Sequence, residues 1–170
     1  VTLGSRHARR IDDALRRALV RAPDVATFVH EDREEPFFVK DVSRVGGDVR
    51  DAVILSVGYG RSTDGRVLYR FGALDQPGGE RRLTAAISSA RERVTVVSSF
   101  TSGDLSPRRL TTAGAQALRD FLAFVESSGE PAVGDGCRVG VGSVEGERVH
   151  LVGAQVDEGL GAGFAAGEPD

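Results

Sequence analysis

The chemistry open to this chain must come mainly from arginine, glycine and hydroxyl groups. Arginine outnumbers lysine 21 to 1, the one lysine being Lys40. A planar guanidinium suits paired hydrogen bonds to phosphate, for which the excess alone is weak evidence. A GC-rich coding bias explains the same excess equally well. Glycine-rich stretches occur at Gly46-Gly47, VGYG and GVGSVEG, yet none carries the lysine of a G-x-x-x-x-G-K-[ST] loop, so no phosphate cradle of that kind is present. Ser98, Ser99, Thr101 and Ser102 follow a strand, where open α/β sheets bind ligands; caps and turns are the competing role. His7, His30 and His150 lack metal-binding spacing, and Cys137 has no nearby His or Asn to form a nucleophilic set. The acid pairs Asp12/Asp13, Glu31/Asp32 and Glu34/Glu35 read as surface ion-pair partners.

Those residues need elements to hold them. Ile11, Leu15, Ala18 and Leu19 share one face of a helix over about 6–21, limited by Pro23, and a short helix follows from Asp24 to His30. PFFVK (36–40) reads as a short strand. DAVILSVGYG (51–60) reads as a strand buried on both faces, as in a parallel sheet covered by helices. Asp64-Gly65 marks a turn within an excursion over 60–75. Leu83, Ala86, Ile87 and Ala90 predict a helix over 79–92, VTVVSSF (94–100) a second buried strand, and Thr111 or Thr112 the cap of a helix ending near Ser128-Gly129. Strand, helix, strand, helix is an α/β order. CRVGVGS and ERVHLVG predict a hairpin, and GLGAGFAAGEPD a disordered end.

Composition sets the outer bounds. The chain has 170 residues, about one domain by length. It is 40% hydrophobic and 28% charged, with a net charge of −3. Residues 129–170 carry eight acids against two arginines, whereas residues 1–22 carry six arginines against two aspartates. No apolar run approaches the ~18 residues of a membrane span, and no apolar stretch follows the basic residues of VTLGSRHARR as in a leader. A single cysteine excludes an internal disulfide framework. A cytoplasmic location is the resulting expectation. The initial Val and the lack of any Met suggest a piece of something longer or a lost initiator.

Three strings in order carry a more specific signal: PFFVKDVSRVGGDVRDAVILSVGYG, LYRFGALDQPGGERRLTAAISSARERVTVVSSF and TTAGAQALRDFLAFVES. Over residues 1–128 the chain resembles the second motor lobe of superfamily 1 helicases, type B and Upf-like, the lobe that carries motifs V and VI. The resemblance implies a RecA-like parallel sheet flanked by helices, an incomplete motor with the second lobe only, and a Gly-rich acidic tail over 129–170. Motif V falls on Val45 to Asp51. Val45, Gly47 and Asp51 agree with the family, while Gly46 and Val49 replace a glutamine and an acid. Motif VI falls on Arg82 to Arg91, and Ser89 stands where the family has its arginine finger, which stabilises charge on the transferred phosphoryl group.

By this resemblance Ser89, Arg82 and Arg91 occupy the catalytic positions. Gly47, Asp48, Arg82 and Arg91 would face nucleotide, and Gly46, Ser56 and Thr84 would face nucleic acid. ATP and Mg²⁺ would bind only together with an N-terminal RecA-like lobe, and single-stranded DNA or RNA would be the other partner. No metal site and no membrane role are expected in this chain. Helical angles put Arg82, and Arg93 if the helix continues that far, on the side of Ser89, so either could replace the missing guanidinium. The competing expectation is a non-catalytic remnant or interaction domain.

Overall fold

The computed structural model describes residues 1–29, 34–128, 140–144 and 147–155, with side chains from 1–23, 25–26, 28–29 and 34–127. It is α/β. Helix α1 spans Ser5–Leu19 and α2 spans Pro23–Val29. Pro23 opens α2, because its fixed φ suits the first helical position, where an N–H is not needed. Strand β1 runs over Arg50–Ser56, helix α3 over Gly79–Ser88, β2 over Ala90–Ser98 and α4 over Ala113–Ser128. Strands β3 (Gly140–Val144) and β4 (Glu147–Gln155) form the antiparallel pair expected there.

The sheet order is β1-β2-β4-β3. The parallel ladder is confined to β1 and β2, with Val53 beside Val94 and Leu55 beside Val96. Strand β4 runs antiparallel to β2 and makes the sheet mixed. Thr2 bridges Ser56 and Asp41 in parallel, so the chain start extends the sheet beyond β1.

The core lies on one face of the sheet. Val53, Leu55, Val94 and Val96 point into it and meet Leu83, Ala86 and Ile87 of α3 and Leu118, Phe121, Leu122 and Val125 of α4. Fully burying each such Leu or Phe contributes about 1.5–3 kcal/mol. Helices α3 and α4 approach through two glycines. A Cβ on Gly79 or on Gly114 would come within 2.1 or 2.2 Å of the Leu74 carbonyl oxygen. Thr112 caps α4, its hydroxyl accepting the Ala115 N–H at 3.3 Å.

Four sequence expectations are corrected. Strand β1 is not buried on both faces: Ala52 and Ile54 are exposed, Ile54 at 57%, and α3 and α4 cover only the other side. Periodicity cannot report this, since an apolar run reads the same whether one face is covered or two. PFFVK forms no ladder; only Asp41 bridges Thr2, as this margin of the sheet has a single short neighbour. Helix α3 stops at Ser88 rather than 92, and β2 starts at Ala90, because the backbone switches to pairing with β1 at Arg50↔Ala90. Arg91 and Arg93 therefore stand on a strand, and the helical-face argument for Arg93 lapses. The expected disordered segment 159–170 lies outside the described residues.

Candidate functional site

The strand pair has two ends, ~20 Å apart for seven residues, and the expected site residues divide between them. At the amino-terminal end, Gly46 and Gly47 form an exposed turn with open space at both Cα atoms, and Gly47 has φ 88°, a conformation that favours glycine. Asp48 follows, its carboxylate paired with Lys40 Nζ at 2.6 Å. Ser89 sits at the same end, where its carbonyl accepts the Arg50 N–H at 2.8 Å. Arg91 points outward and pairs with both Asp51 and Glu35. The structure thus brings Gly46, Gly47, Asp48, Ser89 and Arg91 to one edge.

Ser89 itself is turned inward. It is 4% exposed, and its hydroxyl donates to the Ala86 carbonyl at 2.7 Å. Arg82 lies ~10 Å further along the helix axis. It closes the turn before α3, donating to Pro77 O at 2.9 Å and Ala73 O at 3.3 Å. Thr84 is occupied within α3, its hydroxyl donating to Glu80 O at 3.0 Å. Arg82 and Thr84 are not gathered with the glycine turn.

Ser56 belongs to the opposite, carboxyl-terminal end. Its Oγ pairs with His7 Nε2 at 3.1 Å. His7 lines a crevice of about 520 Å³, bounded by the first turns of α1 (Ser5, Arg6, Arg10) and by Tyr59 and Ala73 beyond β1. Arg6 and Arg10 are exposed. Burial holds the His7 pKa below 6.5, with Arg10 and the chain's amino group adding to the shift and the Gly58 backbone opposing it. The shift favours the neutral imidazole, and its tautomer sets which of Ser56 Oγ and His7 Nε2 donates. Burial, and then Asp75, raises the Tyr59 pKa, so the phenol keeps its proton. Asp41 also borders the crevice, but it is buried and accepts the Ser43 N–H at 3.0 Å.

Sequence reasoning missed Arg6, His7, Arg10 and Tyr59 as a group. The usable signal was the position of α1: it leaves the carboxyl end of a strand-like VTL, where α/β sheets bind ligands. The serine-rich stretch after β2 takes the competing role. Ser98 bonds the Phe100 backbone, Thr101 and Asp104 form a capping box, and Ser102 donates to Glu126. Among the described residues, no group of three or more His, Cys, Asp or Glu is placed to hold a metal ion, and no helix is long and apolar enough to cross a membrane.

Comparison with known proteins adds a relationship. The uncharacterized ATP-dependent helicase MG140 of Mycoplasma genitalium is 32% identical over 93 residues, 55% of this chain and 8% of that protein. The MG140 homolog of Mycoplasma pneumoniae, also an uncharacterized ATP-dependent helicase by name, is 32% identical over 90 residues, 53% of this chain and 8% of that protein. The chain is therefore related, over about half its length, to proteins named as helicases, and it spans a small fraction of theirs. No family model and no solved structure matches it.

Proposed function

We propose that this chain is the second lobe of an ATP-dependent superfamily 1 helicase motor, type B in its motif pattern. In this reading the amino-terminal edge of the β1–β2 pair faces nucleotide held by a first RecA-like lobe, which carries the phosphate loop and the Mg²⁺ carboxylates. ATP supplies the energy of cleft closure and reopening when bound between the two lobes. This lobe's own share is to present the Gly46-Gly47 turn and Arg91 at that edge and to grip single-stranded DNA or RNA at the other. The observation that carries the reading is the Arg50–Ser89 hydrogen bond joining the two helicase-like strings, in a chain 32% identical over about half its length to a protein named as an ATP-dependent helicase. The crevice of Arg6, His7, Arg10 and Tyr59 supports the grip: its exposed guanidinium groups offer phosphate contacts.

One observation favours the second reading, a helicase-like lobe without catalysis. The residue at the arginine-finger position is short, neutral and buried, and Arg91 at that edge is already held by two carboxylates. Such arginines are worth about 10³–10⁵ in rate, so this lobe contributes little to hydrolysis in either reading.

The test is fluorescence anisotropy of labelled dT20 and rU20 with the chain at several salt concentrations. The expected result is weak, salt-sensitive binding, further weakened when Arg6 and Arg10 are both replaced by Ala. Each lost phosphate contact lowers the salt slope by about 0.7 for a single strand. Equal binding by the double variant removes the crevice from the reading.

A further inference from the structure

The polar side chains at the start of β1 are all engaged, and one neighbouring segment takes most of them. Arg50 donates through Nε and Nη2 to the Pro36 carbonyl at 3.0 and 2.7 Å. Arg50 Cζ and Lys40 Nζ each lie over the Phe38 ring, 4.9 Å from its centroid. Lys40 pairs with Asp48. Arg91 binds Glu35 through both terminal nitrogens and Asp51 through one of them. Residues 35–40 therefore lie strapped across the edge that carries the helicase-like turn.

We propose that this strap is a clasp, in which the Glu35 carboxylate occupies the Arg91 guanidinium in place of a phosphate. The inference rests on the nucleotide reading of this edge and adds its regulation. A carboxylate and a phosphate oxygen present the same acceptor geometry to a guanidinium, so an incoming triphosphate takes Arg91 from Glu35 and loosens the strap. The groups involved are exposed, Arg91 at 41% and Glu35 at 42%, so the clasp is a weak one that a ligand can open. Glu34 supplies an internal control: it is an exposed acid one residue away.

The experiment is a nuclear magnetic resonance titration of the whole chain with inorganic tripolyphosphate, a probe of this edge that needs no phosphate loop, following the Arg91 Nε–H signal and the backbone amides of residues 37–40. Glu35→Gln is expected to tighten tripolyphosphate binding about threefold to fivefold, the range of one exposed ion pair. Glu34→Gln is expected to leave the affinity within about 1.5-fold, because Glu35 and Asp51 are the carboxylates that hold Arg91. Arg91→Gln is expected to weaken binding and to cancel the gain from Glu35→Gln. If Arg91→Gln weakens binding while Glu35→Gln and Glu34→Gln behave alike, the clasp is overturned and the nucleotide reading stands. If Arg91→Gln leaves tripolyphosphate affinity unchanged, or the probe moves only signals remote from this edge, both fall.

Discussion

The Ser89 carbonyl accepts the backbone N–H of Arg50 at 2.8 Å, tying the single residue between α3 and β2 to the first of β1. The bond turns Ser89 into a joint. Its side chain is directed to the interior and its main chain to the neighbouring strand. Ser89→Ala removes the bond to Ala86 but leaves a small apolar group in a buried site, so it should cost no more than about 1 kcal/mol. Ser89→Arg must house a guanidinium where a hydroxyl is 4% exposed. It is expected to destabilise by at least about 1–3 kcal/mol from overpacking alone. Urea unfolding of both variants checks the ranking; a Ser89→Arg protein as stable as the parent would show that this side chain can turn outward.

The glycine contact between α3 and α4 leaves no room for a methyl group, since both hypothetical Cβ atoms fall about 2 Å from a backbone oxygen that cannot rotate away. Gly79→Ala and Gly114→Ala should each lower stability by about 1–3 kcal/mol, as an overpacked core does. The exposed Gly46→Ala should change it by less than about 0.5 kcal/mol. Thermal melts of the three variants, run side by side, measure the contrast.

His7 gives the fold a dependence on mild acid. Its folded-state pKa is depressed, first by burial, so folding favours the neutral ring. The stability it contributes is complete above pH 6.5 and is lost as pH falls through the folded-state value. His7→Gln keeps a polar side chain without the titration, so its melting temperature should fall less between pH 7 and about pH 5 than that of the parent. Parallel curves for the two proteins would show that other groups carry the dependence.

Asp104 acts lower on the scale. The Thr101 N–H, the Thr101 hydroxyl and Arg61 stabilise its carboxylate and hold the pKa below the usual 3.8, against the effect of burial. Its contribution is present above that value and disappears as pH drops through the depressed one. Asp104→Asn should lose about 1–2 kcal/mol at pH 7 and little at about pH 2, so denaturation curves of parent and variant should converge in acid.

Much of the architecture could be read from residue patterns because it rests on local periodicity. The stripe Leu118, Phe121, Leu122, Val125 marks α4, and the stripe Ile11, Leu15, Ala18, Leu19 marks α1. What escaped was non-local. Nothing in DAVILS tells that Ile54 faces outward, because the missing cover on that side belongs to other parts of the chain. The end of α3 was overrun because Arg91, Glu92 and Arg93 are good helix formers, and only pairing with Arg50–Ala52 makes them strand. The shared edge of Gly47, Ser89 and Arg91 was foreshadowed by the helicase-like strings. The crevice of Arg6, His7 and Tyr59 joins residues some fifty positions apart and had no string to announce it.

The passage from α3 to β2 uses a single residue, with no loop to absorb slack. Any change of pitch in the final turn of that helix must therefore be taken up by the strand itself, and by β1 beside it through the Ser89 carbonyl.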